Sequence, residues 1–359
     1  MALPGTYLAP GHERVRRALG SLIQAFDAGV RVTLLVGADD QDACTAWLGS
    51  LALRCTVSLA RVPSGEVLKT LWIQDRFLCR AAPDHGRRTY LVPPSSGREN
   101  MAVWLAAFDG SDAEEMRTGL SGGNCLVGGN YWLAGAASLE QSFAFLPADR
   151  KNYQGARRSI AAIDGRRLVV VGHSYADLKY RDVEPCRAET TKSPENPSDE
   201  GLRQPVFHLD VFLTPTGETM EGKPLLLVAE PVSLDGRAGA TEKSYRAPLA
   251  AVCRRLAAAG FAILRNPVAV LPAKRSGGGP RFWRPYNNVI LQNRPEPIVW
   301  LPQFCDDEWP ELRQLDDDNT RIWRERLGFS VRPIRDWGAV AALGGGLRCV
   351  TKVTERGVG

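Results

Sequence analysis

Four stretches of this chain carry side chains able to do covalent or acid–base chemistry. The last of them is Leu343-Gly344-Gly345-Gly346-Leu347-Arg348-Cys349-Val350-Thr351. Three consecutive glycines let the backbone take positive φ and approach a ligand closely, so a cysteine just beyond them can be held at the floor of a pocket. A thiolate is a strong nucleophile, but an ordinary thiol with a pKa of about 8.5 is mostly neutral at pH 7 and needs help to ionise. Free cysteines are among the most buried residues, and plain packing is the ordinary reading of one. Cys44 and Cys253, each inside a helical pattern, fit that reading. Cys349 alone has a glycine-rich approach.

The third stretch is Gln204-Pro205-Val206-Phe207-His208-Leu209-Asp210-Val211-Phe212. Read as a strand, it points His208 and Asp210 to one face and Phe207, Leu209 and Val211 to the other, into a core. A titratable pair on an apolar strand costs stability unless it is paired or used. The bland alternative is a core histidine satisfied by its neighbouring carboxylate. His208 has three competitors as a base, His12, His85 and His173, and only His173, at the end of the apolar run VVVGHS, is a serious one. The first stretch, Thr70-Leu71-Trp72-Ile73-Gln74-Asp75-Arg76-Phe77, places an acid in an aromatic and apolar run, where a surface ion pair between Asp75 and Arg76 would suffice to explain it. The second, Ser121-Gly122-Gly123-Asn124-Cys125, reads as a glycine turn leading into a strand, or as an ordinary loop.

The elements that must position these groups alternate between strands and helices. Apolar runs of strand length occur at 30–36, 88–93, 167–172, 225–230 and 297–302. Helical periodicity is clearest at 12–28, 242–260 and 307–327, and the last two close on Gly260 and Gly328, as helix C-termini often do. Residues 176–204 are polar and proline-bearing, which predicts a mobile loop; it lies just before His208 and so would border or cover a site there. Residues 273–281, AKRSGGGPR, read as a flexible basic turn. Neither stretch marks a domain boundary, because units of similar style continue on both sides, so the chain reads as one domain over 1–359.

Composition narrows the class. At 359 residues and 44% hydrophobic content the chain can bury a large core. A net charge of +5 with arginines scattered among acids gives no footprint for nucleic acid. No stretch approaches the roughly 18 apolar residues needed to span a bilayer, and the N-terminus lacks the apolar segment of a signal peptide. The eight cysteines are dispersed without a C-x-x-C pair, which argues against a disulfide framework or zinc site and predicts a reducing, cytoplasmic setting without metal or other cofactor. Oligomeric state is not readable.

Taken in order, the four stretches resemble the guanidine-modifying, or pentein, superfamily of deiminases, dihydrolases and amidinotransferases. That pattern runs W-x-x-D, a G-G turn, H-x-D, then a glycine-rich turn with a cysteine near the C-terminus. Tyr286-Asn287-Asn288-Val289 followed by Val299-Trp300-Leu301-Pro302 is similar to the strand pair before the last helix. Trp72-Ile73-Gln74-Asp75 is most similar to the protein-arginine deiminase branch, whereas agmatine deiminases usually carry arginine at the position of Gln74. Many small-molecule members have an acid before the G-G turn that orients the histidine; here that position is Ser121. The resemblance implies an α/β propeller of five ββαβ units around a pseudo-fivefold axis. It implies a hydrolase in which Cys349 attacks a guanidinium carbon and His208 moves protons. Asp75 and Asp210 grip the cation, and the product is a ureido group plus ammonia. Trp72, Asn124 and Arg348 are candidate substrate-binding residues, and Arg281, Arg284 or Arg348 could meet a substrate carboxylate. The expected partner is a guanidine-bearing small molecule or an arginine-containing peptide, the latter favoured. Three rivals stand beside this. An amidinotransferase would use the same groups, a cysteine protease would need only Cys349 and His208, and a non-enzymatic binding protein of the same fold would need none of them.

Overall fold

A computed structural model of the chain describes residues 1–81, 87–94, 100–174, 202–234, 240–272 and 281–356. The loop expected over 176–204 and the basic turn over 273–281 therefore lie outside the described residues, apart from 202–204 and 281.

Each apolar run read from the sequence forms a strand: Arg31–Val36, Thr89–Val92, Arg167–Val171, Lys223–Pro231 and Ile298–Pro302. Their side chains are buried on both faces for much of their length, as in Ile298–Pro302, where all five residues are buried. Such strands read as continuous hydrophobic runs because helices or neighbouring sheets cover both sides.

Among the described residues one arrangement recurs four times. A first strand pairs antiparallel with a second, a helix follows, and a third strand returns parallel to the second. In the first instance Leu78–Arg80 pairs with Thr89–Val92, helix Met101–Asp109 crosses over, and Asp112–Glu115 returns beside the second strand. The next uses Cys125–Val127, Tyr131–Gly135 and Arg167–Val171, with helices Ala136–Ser142 and Tyr153–Ala161 between. Then come Leu213–Met220, Lys223–Pro231 and Ala262–Val268, joined through helix Ala240–Ala258. Last are Ile290–Gln292, Ile298–Pro302 and Ser330–Ile334, joined through Arg313–Arg321 and the wider turn Ile322–Arg326. The N-terminal sheet has the strand–helix–parallel strand part, Arg31–Val36, Gln41–Gly49 and Thr56–Arg61. Its other neighbour is Ala2–Leu3, which lies parallel rather than antiparallel. So the ββαβ unit is present, four times in full. The sheets are separate, and among the described residues none closes on itself.

The helix Glu13–Gln24 shows how the sequence sets the packing. Its buried residues Val15, Ala18, Leu19, Leu22 and Ile23 fall at i, i+3, i+4, i+7 and i+8, one apolar stripe of a 3.6-residue helix. That stripe joins a continuous core with Leu34, Phe212, Leu226, Val299 and Trp337. A separate cluster around Trp132, Leu139 and Ile160 fills the unit that starts at Cys125. Among the described residues no helix is long and apolar enough to cross a membrane.

Candidate active site

The residues singled out from the sequence sit at equivalent places in the fold, in the short turn that leads into a first strand. The turn Ile73–Asp75 precedes Leu78–Arg80, and Gly122–Asn124 precedes Cys125–Val127. Leu209–Val211 precedes Leu213–Met220. Asn288 lies just before Ile290–Gln292, and Cys349 lies in the turn before the extended C-terminal segment 351–356. The turns bring Asp75, His208, Asp210, Asn288 and Cys349 close to one another, and the Gly122–Asn124 turn adds the Gly123 N–H.

This corrects the strand expected over 204–212. His208 is extended (φ −128°, ψ 146°), but Leu209–Val211 is a single 3₁₀ turn. Phe207 is 37% exposed rather than in the core, while Leu209, Asp210 and Val211 are all buried. The shared face of a strand is therefore not what brings His208 and Asp210 to the site; the turn is.

Close backbone approach explains the glycines. A methyl added at Gly345 would run into the Trp72 ring, and one at Gly346 would meet the Asn288 side chain at 2.5 Å. At Gly123 it would meet His208 Nδ1 at 2.5 Å. Only a residue without Cβ lets the two glycine turns pack this closely on the tryptophan, the amide and the imidazole.

Cys349 is 4% exposed. Asn288 Nδ2 donates to its sulfur at 3.2 Å, while Asn288 Oδ1 accepts from the N–H groups of Arg348 (2.7 Å) and Cys349 (3.3 Å). The thiol is thus fixed by one fully buried amide, a residue the sequence reading quoted for resemblance but gave no role. The Cys349 carbonyl accepts from the Gln74 N–H at 3.2 Å, tying the cysteine turn to the turn that carries Asp75. Burial pushes the Cys349 thiol well above its ordinary pKa, and the Asp210 and Asp75 carboxylates push the same way. Backbone hydrogen bonding at Gly346 and the Asn288 amide pull it back.

Asp75 accepts from the Gly123 N–H at 2.9 Å and stands 3.7 Å from His208 Nδ1. On the other side of the ring Ser121 Oγ lies 3.3 Å from His208 Nε2. The serine that replaces the acid before the G-G turn therefore still touches the imidazole, as a neutral partner. Gln74 Nε2 donates to the Gly122 carbonyl at 3.1 Å, so this glutamine braces the glycine turn.

Asp210 is 1% exposed, and burial raises its carboxyl pKa to about 6. Arg348 works against that shift, with Nη1 donating to Asp210 Oδ2 at 3.1 Å. The same guanidinium donates to the carbonyls of Gly122 (3.1 Å) and Cys125 (2.9 Å). Arg348 is therefore an internal partner of Asp210, not the free cation expected to meet a substrate carboxylate. Asn124, expected to touch substrate, is 1% exposed and holds the histidine loop: its Oδ1 accepts from Gln204 Nε2 and the Leu209 N–H, and its Nδ2 donates to the Phe207 carbonyl. Arg284 is 1% exposed and donates to the Phe282 and Pro272 carbonyls, which removes it as a carboxylate ligand. Trp72 is half-buried under Gly345. Two buried atoms of the site have no hydrogen-bond partner, His208 Nδ1 and Asp210 Oδ1. Among the described residues no group of three or more His, Cys, Asp or Glu could hold a metal ion.

The fold has solved counterparts. An agmatine deiminase from C. jejuni superposes with a TM-score of 0.61 at 13% identity, covering 97% of this chain and 90% of that one. A cysteine-to-serine variant of that enzyme with substrate bound gives 0.59 at 13% identity, over 95% of this chain and 87% of that one. A candidate peptidyl-arginine deiminase gives 0.63 at 15% identity, over 98% and 93%. The chain has a pentein-like α/β fold. No family model matches the sequence, and no curated protein matches it. The pentein likeness spans nearly the full length of both partners, so the four ββαβ units and the N-terminal sheet all lie within it.

Proposed function

We propose that this protein is a cysteine-dependent guanidine deiminase that hydrolyses an arginine side chain, peptidyl by preference, to a ureido group and ammonia. The observation that carries the reading is the pair of orphaned buried atoms, His208 Nδ1 and Asp210 Oδ1, beside the Asp75 carboxylate and the Cys349 thiol. A buried polar atom without a partner costs free energy unless a ligand supplies one. A guanidinium is a flat cation with N–H donors in a fixed fork, and it satisfies carboxylates in this way.

In the empty site the thiol is held protonated by burial and by the two carboxylates. A bound cation neutralises those carboxylates, so substrate entry itself lowers the barrier to ionising Cys349. Cys349 passes its proton to His208, the thiolate adds to the guanidinium carbon, and the imidazolium so formed gives that proton to the departing amine. Ammonia leaves, and a thiouronium remains on the sulfur. Water then adds to that carbon while His208 takes its proton, the C–S bond breaks, and the ureido product departs with the thiol restored. Asp75 faces the ring nitrogen that handles this proton, and Ser121 holds the opposite nitrogen.

The substrate preference is supported by the likeness of Trp72-Ile73-Gln74-Asp75 to protein-arginine deiminases, and the fold match to an agmatine deiminase keeps a small guanidine as the competing substrate. We read the whole chain as one catalytic domain of five pseudosymmetric units, the N-terminal sheet and the segment 351–356 forming the fifth. A cytoplasmic setting is supported by the seven described cysteines, all free thiols. The test is ammonia release and mass detection of ureido product across arginine peptides, arginine, agmatine and methylated arginines. Cys349→Ser should abolish product while leaving the fold intact. Near-normal turnover in that variant ends the proposal, and turnover of agmatine or free arginine above that of every peptide ends the peptidyl preference.

A further inference from the structure

A cavity of about 1100 Å³ lies beside Asp210 and Arg348. Those two residues and Gln74 line it; Cys349, His208 and Asp75 do not. Its walls come from the first strands of the units, at Leu78–Arg80, Cys125–Val127, Leu213–Pro215 and Val289–Leu291, and from the C-terminal segment 351–356. Nothing in the proposed deiminase chemistry uses it.

Its charge is lopsided. Arg80, Arg88, Arg166, Arg348, Lys352 and Arg356 line it, against Asp164, Asp210 and Glu355, so three positive charges are in excess. Arg166 is paired with Asp164, Arg348 with Asp210, Arg88 with Glu355 and Asp109, and Arg80 with Glu114. Lys352 and Arg356 have no carboxylate partner among the described residues; Lys352 lies over the Phe77 ring, and Arg356 donates to the Leu291 carbonyl. Burial, with the nearby Arg348 charge, brings the Lys352 ammonium down to about 8. A cation that the fold holds at such a cost, facing a cavity with more cations, creates a standing demand for negative charge.

We infer that this cavity is a second ligand site, taking a small polyanion with two or more oxyanion charges, either phosphorylated or polycarboxylated, against Lys352 and Arg356. Its volume exceeds what a lone inorganic ion fills and suits a molecule of metabolite size.

The experiment titrates the intact protein with pyrophosphate and, separately, with citrate, at ionic strength held constant with sodium chloride. Thermal unfolding and calorimetry are the readouts, neither of which depends on catalysis. Saturable stabilisation by either probe is expected, with the stronger probe distinguishing phosphate from carboxylate chemistry. Lys352→Met with Arg356→Met should weaken that binding at least tenfold, and Lys352→Arg should keep it. If the double variant is misfolded by circular dichroism, Arg356→Met alone carries the test, with a several-fold loss expected. Stabilisation no greater than that from chloride, or equal binding by wild type and the neutralised variant, overturns the inference.

Discussion

Replacing Asn288 by aspartate is the sharpest probe of how this fold prepares its thiol. The carboxylate keeps an oxygen where Asn288 Oδ1 accepts the N–H groups of Arg348 and Cys349, at 2.7 and 3.3 Å, so the turn geometry is retained. What changes is the atom 3.2 Å from the sulfur, where a donor N–H becomes an acceptor oxygen. A hydrogen bond to a charged group contributes about 1.5–3 kcal/mol. Losing it moves the thiol pKa further up, because the thiolate loses a donor that the neutral thiol does not need. A new unit charge roughly 4 Å away adds repulsion of the order of 4 kcal/mol at a near-surface dielectric. The Cys349 thiol already sits well above its ordinary value, so the variant should be alkylated at least about tenfold more slowly at pH 8. The assay is iodoacetamide labelling against pH, followed by mass spectrometry of the Cys349 peptide, with the half-buried Cys305 as internal reference. A Cys349 profile that overlays the wild type, or faster labelling, refutes the assignment of Asn288 as the group that holds the thiolate.

Three further predictions follow from the same geometry. Asp75→Asn keeps an oxygen for the Gly123 N–H but removes a charge, so KM for a guanidine should rise about 10–100-fold, matching roughly 1.5–3 kcal/mol, with kcat less affected; an unchanged KM counts against its role. Gly345→Ala drives a methyl into the Trp72 ring and should cost about 1–3 kcal/mol, read as a lower melting temperature by calorimetry; an unshifted melting temperature shows that the turn has room. Asp210 titrates near pH 6, raised from 3.8 chiefly by burial, so KM should fall as pH rises through that value and the carboxylate forms. The native state holds this proton more tightly than the unfolded chain, so the group's contribution to stability declines as pH rises from 3.8 to about 6, by up to about 3 kcal/mol. Asp210→Asn should flatten the KM profile, and a persisting step near pH 6 would assign it elsewhere.

The sequence made the long buried strands legible because each is a continuous apolar run, as at Lys223–Pro231 and Ile298–Pro302. The first strands escaped notice for a physical reason. Leu78–Arg80, Cys125–Val127 and Ile290–Gln292 are three residues each, too short to show a period of two. Without them the ββαβ unit could not be recognised as a repeat. The alternation from Phe207 to Val211 was misread as a strand because a single 3₁₀ turn buries Leu209, Asp210 and Val211 together, whatever their polarity. Glycine spacing pointed to the close approach at Gly345–Gly346, whereas the one at Gly123 read equally well as an ordinary loop. Asn288 was missed as a thiol partner because its contact spans the chain. Adjacent amides in the otherwise apolar Tyr286-Asn287-Asn288-Val289 were the available clue, since buried amides need partners. That Arg348 turns back onto Asp210, rather than outward, no local pattern in the sequence discloses.

Because the groups of the candidate site come from leading turns far apart in sequence, the site is owned by no segment of the chain. Asp75, His208, Asn288 and Cys349 become neighbours only when the intervening sheets and helices have all found their places. A proteolytic fragment, however well it folds, would inherit one or two of these groups and no chemistry. Turnover in such a molecule is a faithful report on its global integrity, and it should vanish at the first loosening of any unit, before bulk helical content has fallen.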